Sequence, residues 1–189
     1  FAIKAFDDSA EIKRRFARDH ADRIVQVAQL IGGAFQAGHK VLLFGNGGSS
    51  TDAAHIAAEF VGRYKRERAP LPAIALATDI AAITCIANDY GFEELFARQV
   101  QAHGQRGDVA IAISTSGNSP NVLKGVEAAK ALGLTTIAWT GGTGGKLAGM
   151  VDYAFVVPST LTARIQESHI TLGHVLCELI EDHVLANPA

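Results

Sequence analysis

The sequence has 189 residues, of which 48% are hydrophobic and 19 are glycine, and its formal net charge is −2. This length suits one well-buried core and is short for two domains. The charge gives no electrostatic footprint for nucleic acid or for an anionic membrane surface. No apolar run approaches the length that crosses a bilayer. We therefore expect neither a nucleic-acid partner nor a membrane partner.

The cysteines and the N-terminal residues indicate the compartment. Charged residues are spread through residues 1–15, which contain no apolar core of the kind found in signal peptides. Cys85 and Cys177 each stand alone in apolar surroundings, where unpaired cysteines are mostly buried thiols of a reducing compartment. The sequence therefore predicts two buried thiols and a cytoplasmic protein.

The apolar residues first follow a helical period and then form short runs separated by helix-like segments. The helical period over residues 9–37 predicts a long N-terminal helix that ends near Gly38. Strands are predicted at 40–44, 73–77, 109–113, 135–139 and 153–157, and helices at 51–63, 80–103, 120–132 and 162–184. The strands are almost wholly apolar, which is typical of parallel strands covered on both faces.

These elements predict a three-layer α/β fold with a parallel five-stranded sheet and a long helix at each end. No linker or repeat divides the chain, so we expect one domain over residues 1–189. Within it, residues 1–38 form a helical extension that packs on the domain or on a partner subunit.

Two turns rich in glycine and hydroxyl residues each join a predicted strand to a predicted helix. The first turn, residues 45–50, reads Gly-Asn-Gly-Gly-Ser-Ser, and the second turn, residues 114–119, reads Ser-Thr-Ser-Gly-Asn-Ser. A strand that passes directly into a helix leaves backbone N–H groups unpaired at the positive end of the helix dipole. Such an end favours an anion.

The hydroxyls of the second turn indicate which anion it binds. Ser119 is the predicted N-cap of the following helix, because Pro120 suits the first helical position. That role leaves the hydroxyls of Ser114, Thr115 and Ser116 without a structural reason. We interpret the second turn as a phosphate-binding site.

Neither turn fits a nucleotide site. A P-loop needs Lys followed by Ser or Thr at the helix start, and a dinucleotide fingerprint needs a third glycine where the first turn has Ser50. A phosphate held by hydroxyls and amides, with sugar hydroxyls met by Asn46 and the other turn, fits better. A third turn, residues 141–145, is interpreted as a plain turn rather than a ligand contact, because turns of this kind need glycine for positive φ.

Polar residues interrupt two otherwise apolar helices. In the helix after the first turn, His55, Glu59 and Arg63 follow one another at four-residue spacing and form one stripe. In the last helix, Gln166 and His174 stand among apolar residues. A lone histidine on such a helix is more often a packing residue than a ligand. His55 and Glu59, one turn apart, can however bind one metal ion or share a proton.

Other polar residues have weaker patterns. Asn88 and Asp89 interrupt a predicted helix, which is explained either by a bare turn or by recognition of sugar hydroxyls. The remaining histidines have no polar partner at a spacing like that of His55 and Glu59. They are expected to be exposed or packing residues: His20, His39, His103, His169 and His183.

Three stretches together resemble a known family. The first turn, the second turn and residues 164–167, Arg-Ile-Gln-Glu, are similar to the sugar isomerase (SIS) domain and, within it, to the phosphoheptose isomerases, which act on sedoheptulose 7-phosphate. The resemblance covers about residues 9–184, although some relatives have an acid where this chain has Ala163. It implies a flavodoxin-like sheet, a homotetramer with active sites near subunit interfaces, and a place in heptose synthesis for lipopolysaccharide or capsule.

The resemblance also implies a reaction and residue roles. Sedoheptulose 7-phosphate would be converted to D-glycero-D-manno-heptose 7-phosphate through an enediol(ate), with proton transfer by Glu59 and His174. The phosphate would bind Ser114, Thr115, Ser116 and Ser119. The sugar would contact Asn46, Gly47, Gly48, Glu59, Asn88, Asp89 and Gln166, with Arg63 as a possible addition.

Some phosphoheptose isomerases carry zinc, and the residue types match here. His55, Glu59, Gln166 and His174 offer two nitrogen and two oxygen ligands, a set compatible with zinc. We expect one zinc ion per subunit. The alternative is a metal-free, hydrogen-bonded cluster of the same residues.

A non-catalytic group of SIS proteins is the alternative for function. Its members bind a replication initiator, share both turns and residues 164–167, and lack the acid and the histidine that this chain has at Glu59 and His174. A carboxylate buried against a histidine costs stability when unpaired, so a pure binding module has no use for it. We therefore favour an enzyme over a protein that only binds an initiator or a sugar phosphate.

Overall fold

The computed structural model describes residues 1–187 and contains a five-stranded, all-parallel sheet. Its strands are β1 Val41–Gly45, β2 Ala73–Ala75, β3 Val109–Ile113, β4 Thr135–Gly141 and β5 Tyr153–Val157. Their order across the sheet is β2-β1-β3-β4-β5, the flavodoxin-like order. The predicted fold class is confirmed, and the winding reverses between β1 and β3.

The helices lie where the apolar period indicated, and the bounds of several differ from the predicted ones. They are α1 Ala2–Gln36, α2 Gly48–Val61, α3 Ile80–Asp89, α4 Leu95–His103, α5 Pro120–Ala131 and α6 Thr162–Ala186. The helix predicted over 80–103 is interrupted at Gly91, whose φ of 91° is incompatible with a helix, and a 3₁₀ turn Phe92–Glu94 precedes α4. The helix predicted over 51–63 ends at Val61.

Helices cover both faces of the sheet, and β1 shows how. Val41 and Leu43 belong to a buried cluster with residues of α1, α2 and α6. Leu42 and Phe44, which point the other way, belong to a second cluster with residues of α4 and α5. Because both faces are buried, alternation between apolar and polar residues is absent from β1.

The N-terminal helix packs on its own chain. It begins at Ala2, earlier than predicted, and its first buried residue is Phe16, whose ring centroid lies 6.5 Å from that of Phe155 on β5. Arg23 donates a hydrogen bond to the carbonyl of Ala154, and α1 also packs along α6. The predicted domain ends at residue 189, and residues 188 and 189 lie outside the described part of the chain.

No helix within residues 1–187 is both long enough and apolar enough to cross a membrane.

The third turn and the residues directly after it contact the second turn. The N–H of Leu147 donates to the carbonyl of Gly117 at 3.0 Å, and the N–H of Lys146 donates to the side-chain oxygen of Asn118 at 3.1 Å. Gly117 has a φ of 65°, and a Cβ on it would overlap the carbonyl of Gly144. The two turns therefore fit together only with glycine at position 117.

Replacing Gly117 with alanine tests this fit. Gly117→Ala forces a side chain into positive φ and against a backbone carbonyl, and we expect it to lower the free energy of unfolding by about 2 kcal/mol or more. Gly149→Ala is the control, because a Cβ there meets no atom within 4 Å, and its change should stay within about 0.5 kcal/mol. Urea unfolding measures both; similar losses would contradict the role of Gly117.

Candidate functional site

The first and second turns meet at one edge of the sheet. β1 and β3 are neighbours in parallel register, with Gly45 paired to Ile113, so their carboxyl ends coincide. The side-chain amides of Asn46 and Asn121 exchange two hydrogen bonds, at 2.8 and 2.9 Å, which join the first turn to the start of α5. The two turns therefore converge at the reversal of winding, where such sheets bind ligands.

Hydroxyls cluster in the second turn. The oxygen of Ser114 lies 3.1 Å from that of Ser119 and 3.5 Å from that of Ser116. Ser119 occupies the N-cap position before Pro120, but the prediction that its side chain caps α5 is wrong, because its hydroxyl pairs with Ser114 instead. Three hydroxyls therefore stand together beside the start of a helix, an arrangement suited to an oxyanion.

A cavity of about 840 Å³ lies beside the second turn. It is lined by Arg15, Thr115, Ser116, Gly141, Gly142, Thr143, Pro158, Ser159, Thr160, Leu161, Thr162 and Ile165. The third turn, interpreted as a plain turn, thus also forms a wall next to Thr115 and Ser116. Sequence reasoning missed the residues after β5, whose position at the carboxyl end of a strand was the available signal. Nothing in the local sequence pointed to Arg15.

Gln166 reaches the first turn from α6. Gly48 begins α2, and a Cβ at that position would overlap the side-chain amide of Gln166. Gly47, with a φ of 56°, turns the chain from β1 into the helix. The absence of side chains at 47 and 48 therefore lets a polar group of α6 lie against the main chain of the turn.

His55, Glu59 and His174 form a cluster between α2 and α6. The Nε2 atom of His55 lies 3.2 Å from Oε1 of Glu59, and Nε2 of His174 lies 3.5 Å from Nε2 of His55. Ligand atoms of the three side chains lie within 4.8 Å of one another. The side chain of His55 is 48% exposed and that of Glu59 24%, so the cluster is open to small molecules on one side.

The donors of the cluster suit a divalent metal ion. Two imidazoles and a carboxylate are common ligands of such ions, zinc among them. Asp52, one turn before His55, has an Oδ2 atom that is buried without a hydrogen-bond partner among the described residues. Burial raises the pKa of Asp52, and the nearby His55 and His174 oppose that rise. Sequence reasoning missed Asp52, although its three-residue spacing from His55 was a signal.

Three predicted sugar contacts are exposed. Arg63 does not continue the α2 stripe, because the helix ends before it; its side chain is 63% exposed and 3.9 Å from Glu67. Asn88 and Asp89 are exposed at the end of α3, where the amide of Asn88 donates to the carboxylate of Asp89 at 2.7 Å. The structure thus joins the two turns and Gln166, and places the three-residue cluster on the same two helices, α2 and α6. Arg63, Asn88 and Asp89 lie at the surface.

The two cysteines differ from each other. Cys177 is buried as predicted, and burial raises the pKa of its thiol to about 12. The prediction of a buried Cys85 is wrong: it is exposed, because α3 turns only Ile86 fully inward, and its thiol lies 3.6 Å from Asp89.

The other histidines are exposed or packed, as predicted. His169 is fully buried with Nε2 3.1 Å from the carbonyl of Thr140. His39 lies 3.7 Å from the buried carboxylate of Asp108.

Comparison with known proteins identifies the family. The model of the SIS domain family matches residues 6–141. The fold and the site thus define a sugar isomerase domain.

The relatives show to which family of SIS-domain proteins the chain belongs. The phosphoheptose isomerase of Aquifex aeolicus is 60% identical over 181 residues, which is 96% of this chain and 95% of that protein. The phosphoheptose isomerase of Thermodesulfovibrio yellowstonii is 57% identical over 98% of this chain and 92% of its own length. The structure of the Neisseria gonorrhoeae phosphoheptose isomerase is 43% identical, with a TM-score of 0.90 over 96% of this chain and 97% of that one. This chain belongs to the phosphoheptose isomerase family and is a sugar-phosphate isomerase.

The buried His169 gives a prediction for stability against pH. Burial lowers its pKa to about 4, from about 6.5 in the unfolded chain. Between these values the unfolded chain binds a proton that the folded chain does not, so stability falls as pH falls from about 6.5 to 4, by about 3 kcal/mol at most. His169→Gln keeps a donor for Thr140 and removes the titration, so urea unfolding between pH 4 and 7 should show a shallower slope. His103→Gln, at an exposed position, should keep the original slope. An unchanged slope in His169→Gln would contradict the assignment.

Proposed function

We propose that this sugar-phosphate isomerase converts sedoheptulose 7-phosphate to D-glycero-D-manno-heptose 7-phosphate, the first step of heptose synthesis for lipopolysaccharide or capsule. The observation that carries the proposal is the cluster of Glu59 with His55 and His174 on the two helices that also bear Gly48 and Gln166. Membership of the phosphoheptose isomerase family supports the substrate.

The second turn binds the phosphate in this proposal. Ser114, Ser116 and Ser119 already direct their oxygens toward one another, and Thr115 lines the adjoining cavity. Hydroxyls and N–H groups at the start of α5 bind an anion through hydrogen bonds and the helix dipole without a buried cation. Binding energy from this remote group fixes the reacting carbons against the catalytic side chains.

The sugar hydroxyls meet the first turn and α6 in this proposal. Asn46, Gly47 and Gly48 present one side-chain amide and exposed main chain, and Gln166 adds a second amide. Asn88, Asp89 and Arg63 add further contacts to the sugar in this proposal. All three are exposed, so a bound sugar or a neighbouring subunit reaches them.

Glu59 and His174 transfer the protons. Glu59 removes a proton from C1 of the ketose, and the C–H electrons form a C1=C2 enediolate with its charge on O2. His174 delivers a proton to C2, while the O1 proton passes to O2 and C1 becomes the aldehyde carbon. Both side chains are partly open to solvent, so the transferred proton exchanges with water.

The same cluster holds one zinc ion per subunit in our proposal. His55, Glu59 and His174 are the residues of the cluster that would hold it, and Gln166, whose amide lies against Gly48 in this structure, would be the fourth ligand. Zinc would polarise substrate oxygens and stabilise negative charge on them. A coordinated carboxylate is a weaker base than a free one, so Glu59 exchanges between the roles of ligand and base.

We also propose that one SIS domain spans residues 1–189 and assembles as a cytoplasmic homotetramer, without nucleic acid or membrane partners. The first turns of α1 support the assembly, because Phe1, Ile3 and Phe6 are each at least 79% exposed there and a second copy of the chain would cover them. A non-catalytic role as an initiator-binding protein is disfavoured, because the chain has both Glu59 and His174 and its close relatives are isomerases.

Glu59→Gln tests the proton transfer. The amide is isosteric but cannot accept the proton, so turnover of sedoheptulose 7-phosphate should fall by about 10² or more. The assay compares sedoheptulose 7-phosphate with fructose 6-phosphate and records deuterium uptake from D₂O at C2. Glu67→Gln, at an 88% exposed side chain, is the control and should keep normal turnover. Turnover near the wild-type rate in Glu59→Gln would show that another group is the base.

Ser116→Ala tests the phosphate site. Losing a hydroxyl that binds a charged phosphate should weaken binding of sedoheptulose 7-phosphate by about tenfold, because such hydrogen bonds contribute roughly 1.5 kcal/mol. Ser116 is exposed, so the melting temperature should change little. Ser9→Ala removes a hydroxyl from α1 and serves as the control. Equal affinities of Ser116→Ala and wild type in calorimetry would remove the second turn from the phosphate site.

A further inference from the structure

A segment without helix or strand, residues 62–72, joins α2 to β2 and is held from one side by Glu181 of α6. The Glu181 carboxylate accepts hydrogen bonds from the backbone N–H groups of Tyr64, Lys65 and Arg66 at 3.2, 2.9 and 2.9 Å. It also accepts one from Nε of Arg68 at 3.1 Å. The side chains of Arg68 and Glu181 are only 3% and 2% exposed, so this is a fully buried ion pair.

Arg68 connects the same pair to the end of α2. Its guanidinium donates to the carbonyls of Glu59 and Phe60 at 2.8 and 2.9 Å, and to that of Ala69 at 3.1 Å. The last carbonyls of a helix have no partner within the helix, and a cation suits the negative end of its dipole. Arg68 therefore fixes the main chain of Glu59 itself.

Tyr64 connects the pair to His174. The Tyr64 ring stacks on the His174 ring, with centroids 5.7 Å apart and planes 21° from parallel. Because Glu181 binds the N–H of Tyr64, it sets where that ring lies. One ion pair therefore contacts the backbone of Glu59 through Arg68 and the imidazole of His174 through Tyr64.

Attachment of the segment to α6 does not by itself require a buried pair. Lys65 with Glu178, at 2.7 Å, and Arg66 with Asp182, at 2.9 Å, already form ion pairs between the segment and α6 at the surface. A buried ion pair gains little stability over apolar side chains of similar volume, because both charges lose their hydration. The buried pair instead restricts orientation, because its hydrogen bonds fix α2, Tyr64 and α6 relative to one another.

We propose that Arg68 and Glu181 are positioning residues of the isomerase site, which hold the main chain of Glu59 and the ring of His174 at the separation that proton transfer and metal binding require. The inference rests on the proposed function for the roles of Glu59 and His174. The pair acts through Tyr64 and the end of α2 and does not touch the substrate.

Glu181→Gln is the direct test, because the amide keeps the shape and one oxygen but cannot accept all four hydrogen bonds. We expect kcat to fall by about tenfold or more and Co²⁺ affinity of the metal-free protein to fall by about tenfold, as for other residues that orient metal ligands. KM should stay within about twofold, because the phosphate turn lies on another element. Asp182→Asn breaks the exposed pair to the same segment and is the matched control, with all three values unchanged.

The NMR signals of the His174 ring separate this inference from the proposed function. Assigned with a His174→Gln variant, they report stacking on Tyr64 whether or not the protein turns over sedoheptulose 7-phosphate. We expect a shift in Glu181→Gln and none in Asp182→Asn. If wild type neither isomerises that sugar nor binds Co²⁺, the proposed function fails, and the ring signals alone decide the positioning.

Folded Glu181→Gln protein with wild-type kcat, Co²⁺ affinity and His174 signals would overturn the proposal, even if its melting temperature fell. If Glu181→Gln does not fold, Arg68→Lys and Tyr64→Ala decide instead. Tyr64→Ala leaves the ion pair in place and removes only the ring, so it should shift the His174 signals and lower Co²⁺ affinity. Unchanged values in both variants would equally overturn the proposal.

Discussion

The parallel pairing of β1 with β3 is the constraint on which the site depends. Both strands are buried on both faces, so neither can shift by one residue without moving core side chains to the wrong layer. The fixed register makes Gly45 and Ile113 partners and brings the two turns after them to one edge. The polar groups of both turns are therefore positioned by the apolar packing of the strands that precede them.

The parts of the molecule that follow from local pattern could be predicted from the sequence. The apolar strands, the turns that follow β1 and β3, and the four-residue spacing of His55 and Glu59 all depend on near neighbours in the chain. Contacts between distant residues could not be predicted in this way. Asn121, Arg68 and Glu181 look like ordinary helix or loop residues until the fold places them beside Asn46 or the end of α2.

Two of the wrong predictions have a common origin. Periodicity alone extended α2 to Arg63, but the helix ends at Val61, and the carbonyls that this end leaves free are taken by Arg68. Apolar neighbours suggested a buried Cys85, yet α3 follows the edge strand β2 and has only Ile86 buried. In both cases the outcome depends on where the helix lies in the fold, which spacing and neighbouring residues in the sequence do not reveal.

The reciprocal amide pair of Asn46 and Asn121 has an evolutionary consequence. Each side chain is both donor and acceptor to the other, and Asn121 is only 2% exposed. Changing one partner alone leaves a buried amide unsatisfied, whereas changing both at once to apolar residues of similar shape removes the donors and acceptors together. Positions 46 and 121, 75 residues apart, should therefore change together among relatives or not at all. The first turn and the start of α5 are thus expected to evolve together.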